Sequence, residues 1–265
     1  MFNTVGGPYL GASHFNKRLN RRRATGDAFM QNRLLSALSF EERARLLPSM
    51  QRVSLTLGQV IYEVEGRLEY AYLPTTSVIS SIYTTHEGAT AQMALIGNEG
   101  ITGIGLFLDH DTAHYRTIVQ IAGKAIKAPA KLLQAEFARG GTFQHTILRY
   151  SHTFLTQLSQ TAVCNRLHSV EQRLCRWLLE CDDRVNGDEI RMTQENIANM
   201  LGVRREGVTV AAGRLKDAGL IQYSRGHIHI LDRKGLEAMG CECYRVVEQE
   251  GDRAVMSARS PRAAR

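Results

Sequence analysis

Residues 193–231, TQENIANMLGVRREGVTVAAGRLKDAGLIQYSRGHIHIL, gather side chains that suit the base edges and phosphates of a DNA duplex. Arg205 and Glu206 stand together where a helical run begins. A guanidinium there can bond guanine O6 and N7, and a carboxylate can accept from cytosine N4. Thr209 and Val210 follow one turn later on the same outward face and complete a candidate base-reading set. Thr193, Arg204, Arg214 and Arg225 are placed for phosphates, contacts that position a protein without specifying sequence.

Such a set works only if two helices and a ribbon hold it still. Thr193 takes the N-cap position of the first helix, its hydroxyl set to accept from a free amide of the first turn. Ile197 and Leu201 face inward, Ala198 is small where a second helix must cross closely, and Gly202 supplies the positive φ that ends the helix. Val203 plugs the turn, and a second helix from about Arg204 to Asp217 buries Val208, Ala211 or Ala212, and Leu215. Gly207 and Gly213 each cost that helix roughly 1 kcal/mol relative to Ala, either to let DNA approach or as neutral drift. Two short alternating strands then flank Ser224-Arg225-Gly226, a hairpin that forms a wing and lays Arg225 on the backbone. The rival reading is a helical hairpin beside an unrelated ribbon, which leaves the cap, the turn glycine and the wing as coincidences.

Upstream, the text changes character twice. Residues 28–50 have helical spacing, with Ser39 and Glu42 forming a capping box. From Val53 to Pro129, short apolar strands separated by glycines suggest an antiparallel roll or sandwich, with nothing resembling a βαβ unit. A short helix over Pro129–Arg139 stops at Gly140-Gly141. A long helix follows, its apolar stripe running through Phe143, Ile147, Tyr150, Phe154 and Leu158. This stripe either packs within one chain or meets a copy of itself. A linking helix of this length has little intramolecular surface to cover it, so the five residues are assigned to a parallel dimer seam.

Charge narrows the classes further. The net +7 sits in the two ends: residues 1–27 hold five basic groups against one acidic, and 251–265 hold four against one. Both ends read as disordered tails, either merely solvated or in weak contact with phosphates. Residues 191–235 carry eight basic and four acidic groups, a local excess where the DNA reader lies. No apolar run approaches the roughly 20 residues that span a bilayer, and the basic cluster follows the mild apolar start, so a cytoplasmic protein with no membrane partner is expected. Five cysteines, an odd number, argue against a fully paired disulfide framework. Cys241-Glu242-Cys243 is too close for the usual zinc-knuckle spacing and has no second ligand pair nearby in sequence, so neither a metal nor another cofactor is expected. Paired carboxylates, a nucleophile elbow and a phosphate loop placed to act are all missing from the sequence, which excludes an enzyme.

From about Asn32 to Tyr244 the sequence resembles the Crp/Fnr superfamily of bacterial regulators. The likeness is carried by TQENIANMLGVRREGVT with its wing, and by GQVIYEVEG, IGNEGITGIGLFL and YRTIVQIAGKAIKAP, which look like a cyclic-nucleotide-binding-type roll. It implies an α+β fold: an antiparallel β-roll sensor over 28–139, a long dimerisation helix over 140–164, and a winged helix-turn-helix over 165–240. Tails lie at 1–27 and 241–265. It also implies a homodimer on a palindromic site in double-stranded DNA, with RNA polymerase as partner if the protein activates. Arg205-Glu206 occupy the family's base-reading pair, while Val210 stands where a further Arg is common, so the preferred half-site differs. An effector pocket, if there is one, falls to Gly103, Gly105, Leu106, Phe107, Tyr115 and Arg116. Gly103 replaces the Glu that holds ribose, and Tyr115-Arg116 replaces the Arg-Ser that holds cyclic phosphate. Control by cyclic AMP is therefore not expected, and the effector is unknown. A cyclic-nucleotide-responsive signalling module is the alternative.

Overall fold

A computed structural model describes residues 28–185 and 189–258, with side chains as far as Arg253. The basic stretch 1–27, residues 186–188, whose Asn186-Gly187 reads as a turn in the sequence, and residues 259–265 lie outside the described residues. Two short helices, α1 (Arg33–Ser36) and α2 (Phe40–Leu46), open the fold. The capping box forms as its spacing requires: Ser39 Oγ accepts from Glu42 N at 3.2 Å, and Glu42 Oε2 accepts from Ser39 N at 2.9 Å. The second Glu42 oxygen accepts from Phe143 N at 2.8 Å. One buried carboxylate thus satisfies amides at the starts of two helices far apart in sequence.

Seven strands follow: β1 (Gln51–Leu55), β2 (Val60–Tyr62), β3 (Tyr70–Pro74), β4 (Val78–Thr84), β5 (Thr90–Ile96), β6 (Arg116–Ile121) and β7 (Gly123–Pro129). They make two antiparallel sheets, ordered β1-β7-β3 and β2-β6-β4-β5. Leu55, Leu73, Ile79, Ile96, Val119 and Ile126 fill the space between them. Gly123 marks the change of sheet between β6 and β7; a Cβ there would stand 2.6 Å from the Thr76–Ser77 backbone. The roll is the one the strand pattern implies.

Helix α3 (Ala130–Ala138) leads through Gly140 and Gly141, at φ 82° and 81°, into the long helix α4 (Gly141–Leu167). Here the structure corrects the dimer assignment. Phe143, Ile147, Tyr150 and Phe154 are buried within the chain's own roll core, and Leu158 packs against its edge. Phe143 meets Phe107 edge-on at 6.0 Å between ring centroids. The helix lies along the roll rather than standing off it, so the roll supplies the cover that the helix's length in isolation lacked. The exposed apolar groups of α4 are others, among them Leu148 at 48% and Leu155 at 60% exposure.

The C-terminal domain contains α5 (Val170–Arg184), β8 (Ile190–Arg191), α6 (Gln194–Leu201), α7 (Arg205–Asp217), β9 (Ile221–Ser224), β10 (His227–Ile230) and α8 (Arg233–Met239). Leu174, Leu178, Ile197, Val208, Leu215 and Leu236 form its core. Val78 and Leu95 of the roll belong to that same core, so the two domains are packed together.

The expected tail from residue 241 is a second correction. Helix α9 (Cys243–Ala258) returns along α4, burying Cys243, Tyr244 and Val247, with Glu250 reaching His152 at 3.0 Å. Tyr244 and Val247 are three residues apart and share one face, a short apolar signal among the four acidic residues of 236–250. The packing also brings Cys241 and Cys243 beside Cys164 and His168, the second ligand pair that the sequence lacked locally. Among the described residues, no helix is long and apolar enough to cross a membrane.

Candidate nucleic-acid interface

Thr193 caps α6 as its position requires, accepting from Asn196 N at 3.2 Å. Gly202 ends that helix at φ 61°, ψ 42°, and the amide of Val203 returns to Ala198 O at 3.0 Å. Ala198, Val208, Ala211, Ala212 and Leu215 are all buried at the helix crossing. With Ala211 and Ala212 both inward, the backbones of α6 and α7 approach closely and fix the outward face of α7.

That face presents Arg205, Glu206, Thr209 and Val210 to solvent, with Val210 55% exposed. Arg204 precedes the helix in extended conformation, its side chain outside any capping bond. The helix N-terminus adds a partial positive charge to the two arginines. Thr209 differs from a free reader: its hydroxyl donates to Gln194 Oε1 at 2.8 Å and lies 3.1 Å from Arg205 O. The methyl group, rather than the hydroxyl proton, is what Thr209 has left to offer a base.

Strands β9 and β10 pair directly at Ser224↔His227, leaving Arg225 and Gly226 as a two-residue loop at φ 50° and 83°. These angles are those of a type I′ turn, the tight hairpin connection whose twist matches the strands. Between this wing and α7 lies a cleft of ≈ 270 Å³ lined by Thr193, Gln194, Arg205, Tyr223, Arg225 and Gly226. Three residues singled out for DNA contact (Thr193, Arg205 and Arg225) therefore meet round one opening. Arg214 stands apart, paired with Glu171 Oε2 at 3.1 Å on the first turn of α5. The phosphate contact expected of Arg214 competes with that pair. Glu189 draws Arg191 to 2.7 Å and His227 to 2.6 Å, and the bond from Arg191, then that from His227, hold its carboxyl below the usual range.

The six residues assigned to an effector pocket differ in setting. Leu106 and Phe107 are buried in the roll core, and Arg116 is paired with Glu63 at 3.1 Å. Gly103 sits at φ 71°, and a Cβ there would stand 3.2 Å from Tyr62 Oη. Tyr62 itself donates to Tyr70 O at 2.6 Å and lies 2.8 Å from Thr102 Oγ1. Burial raises its hydroxyl pKa well above the ordinary value.

Sequence reasoning missed the contacts that hold the reader against the roll. Trp177 Nε1 donates to Gln92 Oε1 at 3.0 Å, and Arg184 Nε donates to Glu99 Oε1 at 2.8 Å. A Cβ on Gly202 would lie 3.2 Å from Ala91 Cβ of β5. These pairs join positions about 85 residues apart and leave no local pattern.

Comparison with known proteins places this geometry. Residues 172–239 match the family model of the Crp-like helix-turn-helix domain. A comparison with the sequences of curated proteins gives no match. Among solved structures, FixK2 from Bradyrhizobium japonicum superposes with a TM-score of 0.62 at 16% identity, covering 72% of this chain and 98% of that one. The c-di-GMP responsive global regulator CLP of Xanthomonas campestris gives 0.60 at 15% identity, over 72% of this chain and 99% of that one. TTHA1359, a CRP/FNR family transcriptional regulator from Thermus thermophilus, gives 0.56 at 20% identity, over 71% of this chain and 97% of that one. At these identities the superpositions establish a shared fold.

Proposed function

We propose that this chain, which carries a Crp-like helix-turn-helix and shares its fold with Crp/Fnr regulators of solved structure, is a Crp/Fnr-type transcription regulator that works as a homodimer on a two-fold symmetric DNA site. The observation that carries the reading is the exposed first turn of α7 with Arg204, Arg205 and Glu206, set across a cleft from the wing tip at Arg225. Arg205 and Glu206 read base edges in the major groove, Val210 makes apolar contact one turn further, and Thr209 offers its methyl group. Thr193, Arg204 and Arg225 engage phosphates, joined by Arg214 once Glu171 releases it.

The dimer forms through the outer face of α4, not the stripe first assigned. Positions 145, 148, 152, 155, 159, 162 and 166 are exposed and alternate by three and four, the spacing of a coiled-coil seam. Leu148 and Leu155 are its apolar anchors; His145, Ser159 and Arg166 flank them, and His152 between them meets Glu250 of α9 at 3.0 Å. Two-fold pairing along this face sets two heads for successive major grooves, about 34 Å apart. RNA polymerase is the further partner if the protein activates.

The roll does not take cyclic AMP. Support comes from Gly103 in place of a ribose-binding carboxylate, from Tyr62 and Leu106 in the space beside it, and from Arg116 held by Glu63. The response of CLP to c-di-GMP is a property of that protein and is not carried over.

Gel shift on the chain's own upstream region tests the reading. Arg205→Ala and Glu206→Ala should each lose discrimination between specific and random DNA while keeping weak binding. If both discriminate as the parent does, α7 is not the reader. Sedimentation of the double variant Leu148→Glu/Leu155→Glu should yield monomers; a dimer at micromolar concentration places the seam elsewhere. Calorimetry with cyclic AMP and cyclic GMP should show no heat, and micromolar binding would favour the nucleotide-responsive module.

A further inference from the structure

Four side chains with metal-ligand chemistry converge where α4 ends and α9 begins. The Sγ atoms of Cys164, Cys241 and Cys243 and a ring nitrogen of His168 all lie within 4.8 Å of one another. Cys164 and His168 are one helical turn apart at the end of α4, where the His168 amide still donates to Cys164 O at 3.1 Å, so both project to the same side. At Cys241 the chain bends, with Tyr244 N bonded to Cys241 O at 3.3 Å, and that bend turns two thiols only two residues apart toward the same point.

Two of the separations match the edges of a coordination shell, and the others lie within 4.8 Å. Cys164 Sγ lies 3.6 Å from Cys241 Sγ, and Cys243 Sγ lies 3.5 Å from His168 Nδ1. Bonds of about 2.3 Å to sulfur and about 2.0 Å to nitrogen around a tetrahedral ion give ligand-to-ligand edges of roughly 3.8 Å for S···S and 3.5 Å for S···N. The three cysteines form a cluster of their own, separate from the cores of the roll and of the reader. Hydrophobic burial in either core therefore does not account for them.

The surroundings fit as well. The second nitrogen of His168, Nε2, faces Glu242 Oε1 at 3.5 Å, the carboxylate–imidazole arrangement that orients a metal-binding histidine. Arg176, bonded to Glu180 at 2.9 Å and Thr161 at 3.0 Å, also reaches the sulfur of Cys164. A guanidinium there offsets the single negative charge left when three thiolates and a neutral imidazole bind a divalent ion.

We propose that Cys164, His168, Cys241 and Cys243 form a closed tetrahedral site for one Zn²⁺, which pins the C-terminal helix to the hinge between α4 and the DNA-reading domain. Thiolate and imidazole together select zinc over hard cations, and four protein ligands leave no open position for catalysis. Donor atoms this close enclose a single ion rather than a cluster of irons and sulfides. On binding, three thiols release their protons to solvent and no electron is transferred. His168 is the C-cap of α4 and Ser169 the N-cap of α5, so the ion fixes the residue at which the reader's first helix leaves the long one. Loss of zinc would free α9 and loosen that hinge together.

The test uses the full chain, purified under reducing conditions from zinc-supplemented cells. Metal analysis should give about one zinc per chain, as a closed site requires. After removal of zinc with a chelator, titration with Co²⁺ should produce thiolate-to-cobalt charge-transfer bands and tetrahedral d–d bands, saturating at one equivalent. Cys243→Ser and His168→Ala should lose stoichiometric binding, Glu242→Gln should weaken it roughly tenfold or more, and Cys181→Ala, away from the cluster, should bind as the parent does. Zinc-free parent protein without thiolate bands on cobalt addition would overturn the proposal, and needs no variant to fold. So would Cys243→Ser and His168→Ala binding one zinc as tightly as the parent. Neither readout contains DNA, so a failure of the operator reading leaves this result unaffected.

Discussion

Replacing Arg225 by Asn should make the protein more stable and its DNA binding less salt-dependent, two effects that a merely solvated wing residue would not combine. Arg225 is held at φ 50° because the two-residue loop between Ser224 and His227 demands a left-handed conformation at its first central position. An L-residue other than Gly, Asn or Asp pays roughly 1–2 kcal/mol for that conformation, whereas Asn adopts it readily. Ile228, two residues beyond the turn, is buried in the reader's core, so the wing melts with its domain and the relief is felt in global unfolding. A gain of about 1 kcal/mol raises the melting temperature of a chain of this size by roughly 2–4 °C. On DNA the variant loses one phosphate contact per protomer. The slope of log K against log salt should flatten by about 0.9 for each, roughly 1.8 for a dimer. Thermal melts and fluorescence anisotropy at several salt concentrations measure both. Arg225→Lys serves as control, keeping the charge and the strain, with the parent's slope and no gain in stability. A fall in melting temperature for Arg225→Asn, or an unchanged salt slope, refutes the reasoning.

Gly202→Ala should destabilise the protein by at least about 1–2 kcal/mol, because φ 61° disfavours an L side chain and the added methyl would lie 3.2 Å from Ala91 Cβ; chemical denaturation reads the loss. Glu136→Gln should remove part of the acid sensitivity of folding. The hydrogen bond from Arg45 holds the Glu136 carboxyl below the usual range, so its contribution is full above the unfolded carboxylate's pKa and fades as pH falls through the lowered folded value. Stability curves of parent and variant should converge in acid and separate near neutrality. Glu42→Ala should cost about 2–4 kcal/mol, since it keeps the Ser39 cap but leaves the amides of Ser39 and Phe143 without their acceptor.

The reader was legible in the sequence because its determinants are local. Thr193, Ala198, Gly202 and Val208 constrain one another within a few helical turns, and each took the structural role its chemistry suggested. The stripe on α4 was legible only by half. Its period showed that Phe143, Ile147, Tyr150 and Phe154 are buried, but period carries no information about what buries them. The roll strands were visible individually, while the packing of α4 along the roll depends on how two sheets close in space. Cys164 and Cys241 are 77 residues apart, so the cluster they share has no contiguous motif. A C-x₃-H pair at a helix end and a C-x-C pair far downstream are its only trace. Thr209 shows the remaining gap: its exposure follows from helical phase, but Gln194, which takes its proton, sits on another helix.

The shared core decides how such a molecule can switch. Val78 and Leu95 of the roll are buried at 0% and 2% exposure in the core of the reader, and freeing each costs about 1.5–3 kcal/mol. The Trp177–Gln92 bond adds about 1 kcal/mol. Swinging a head away from its own roll thus costs about 4–7 kcal/mol, comparable to the ≈ 5.5 kcal/mol that separates a population of 1:99 from 99:1. An effector in the roll would have to supply that difference through unequal contacts with the two arrangements. Moving each head as one body with its roll and α4, about the α4 seam, leaves the core intact and costs less. Trp177 is the only tryptophan in the chain, so its emission reports this choice directly. DNA binding should leave its maximum where it is in the free protein. A shift to the red on forming the complex would mean that water has reached the indole, and that the head does part from the roll.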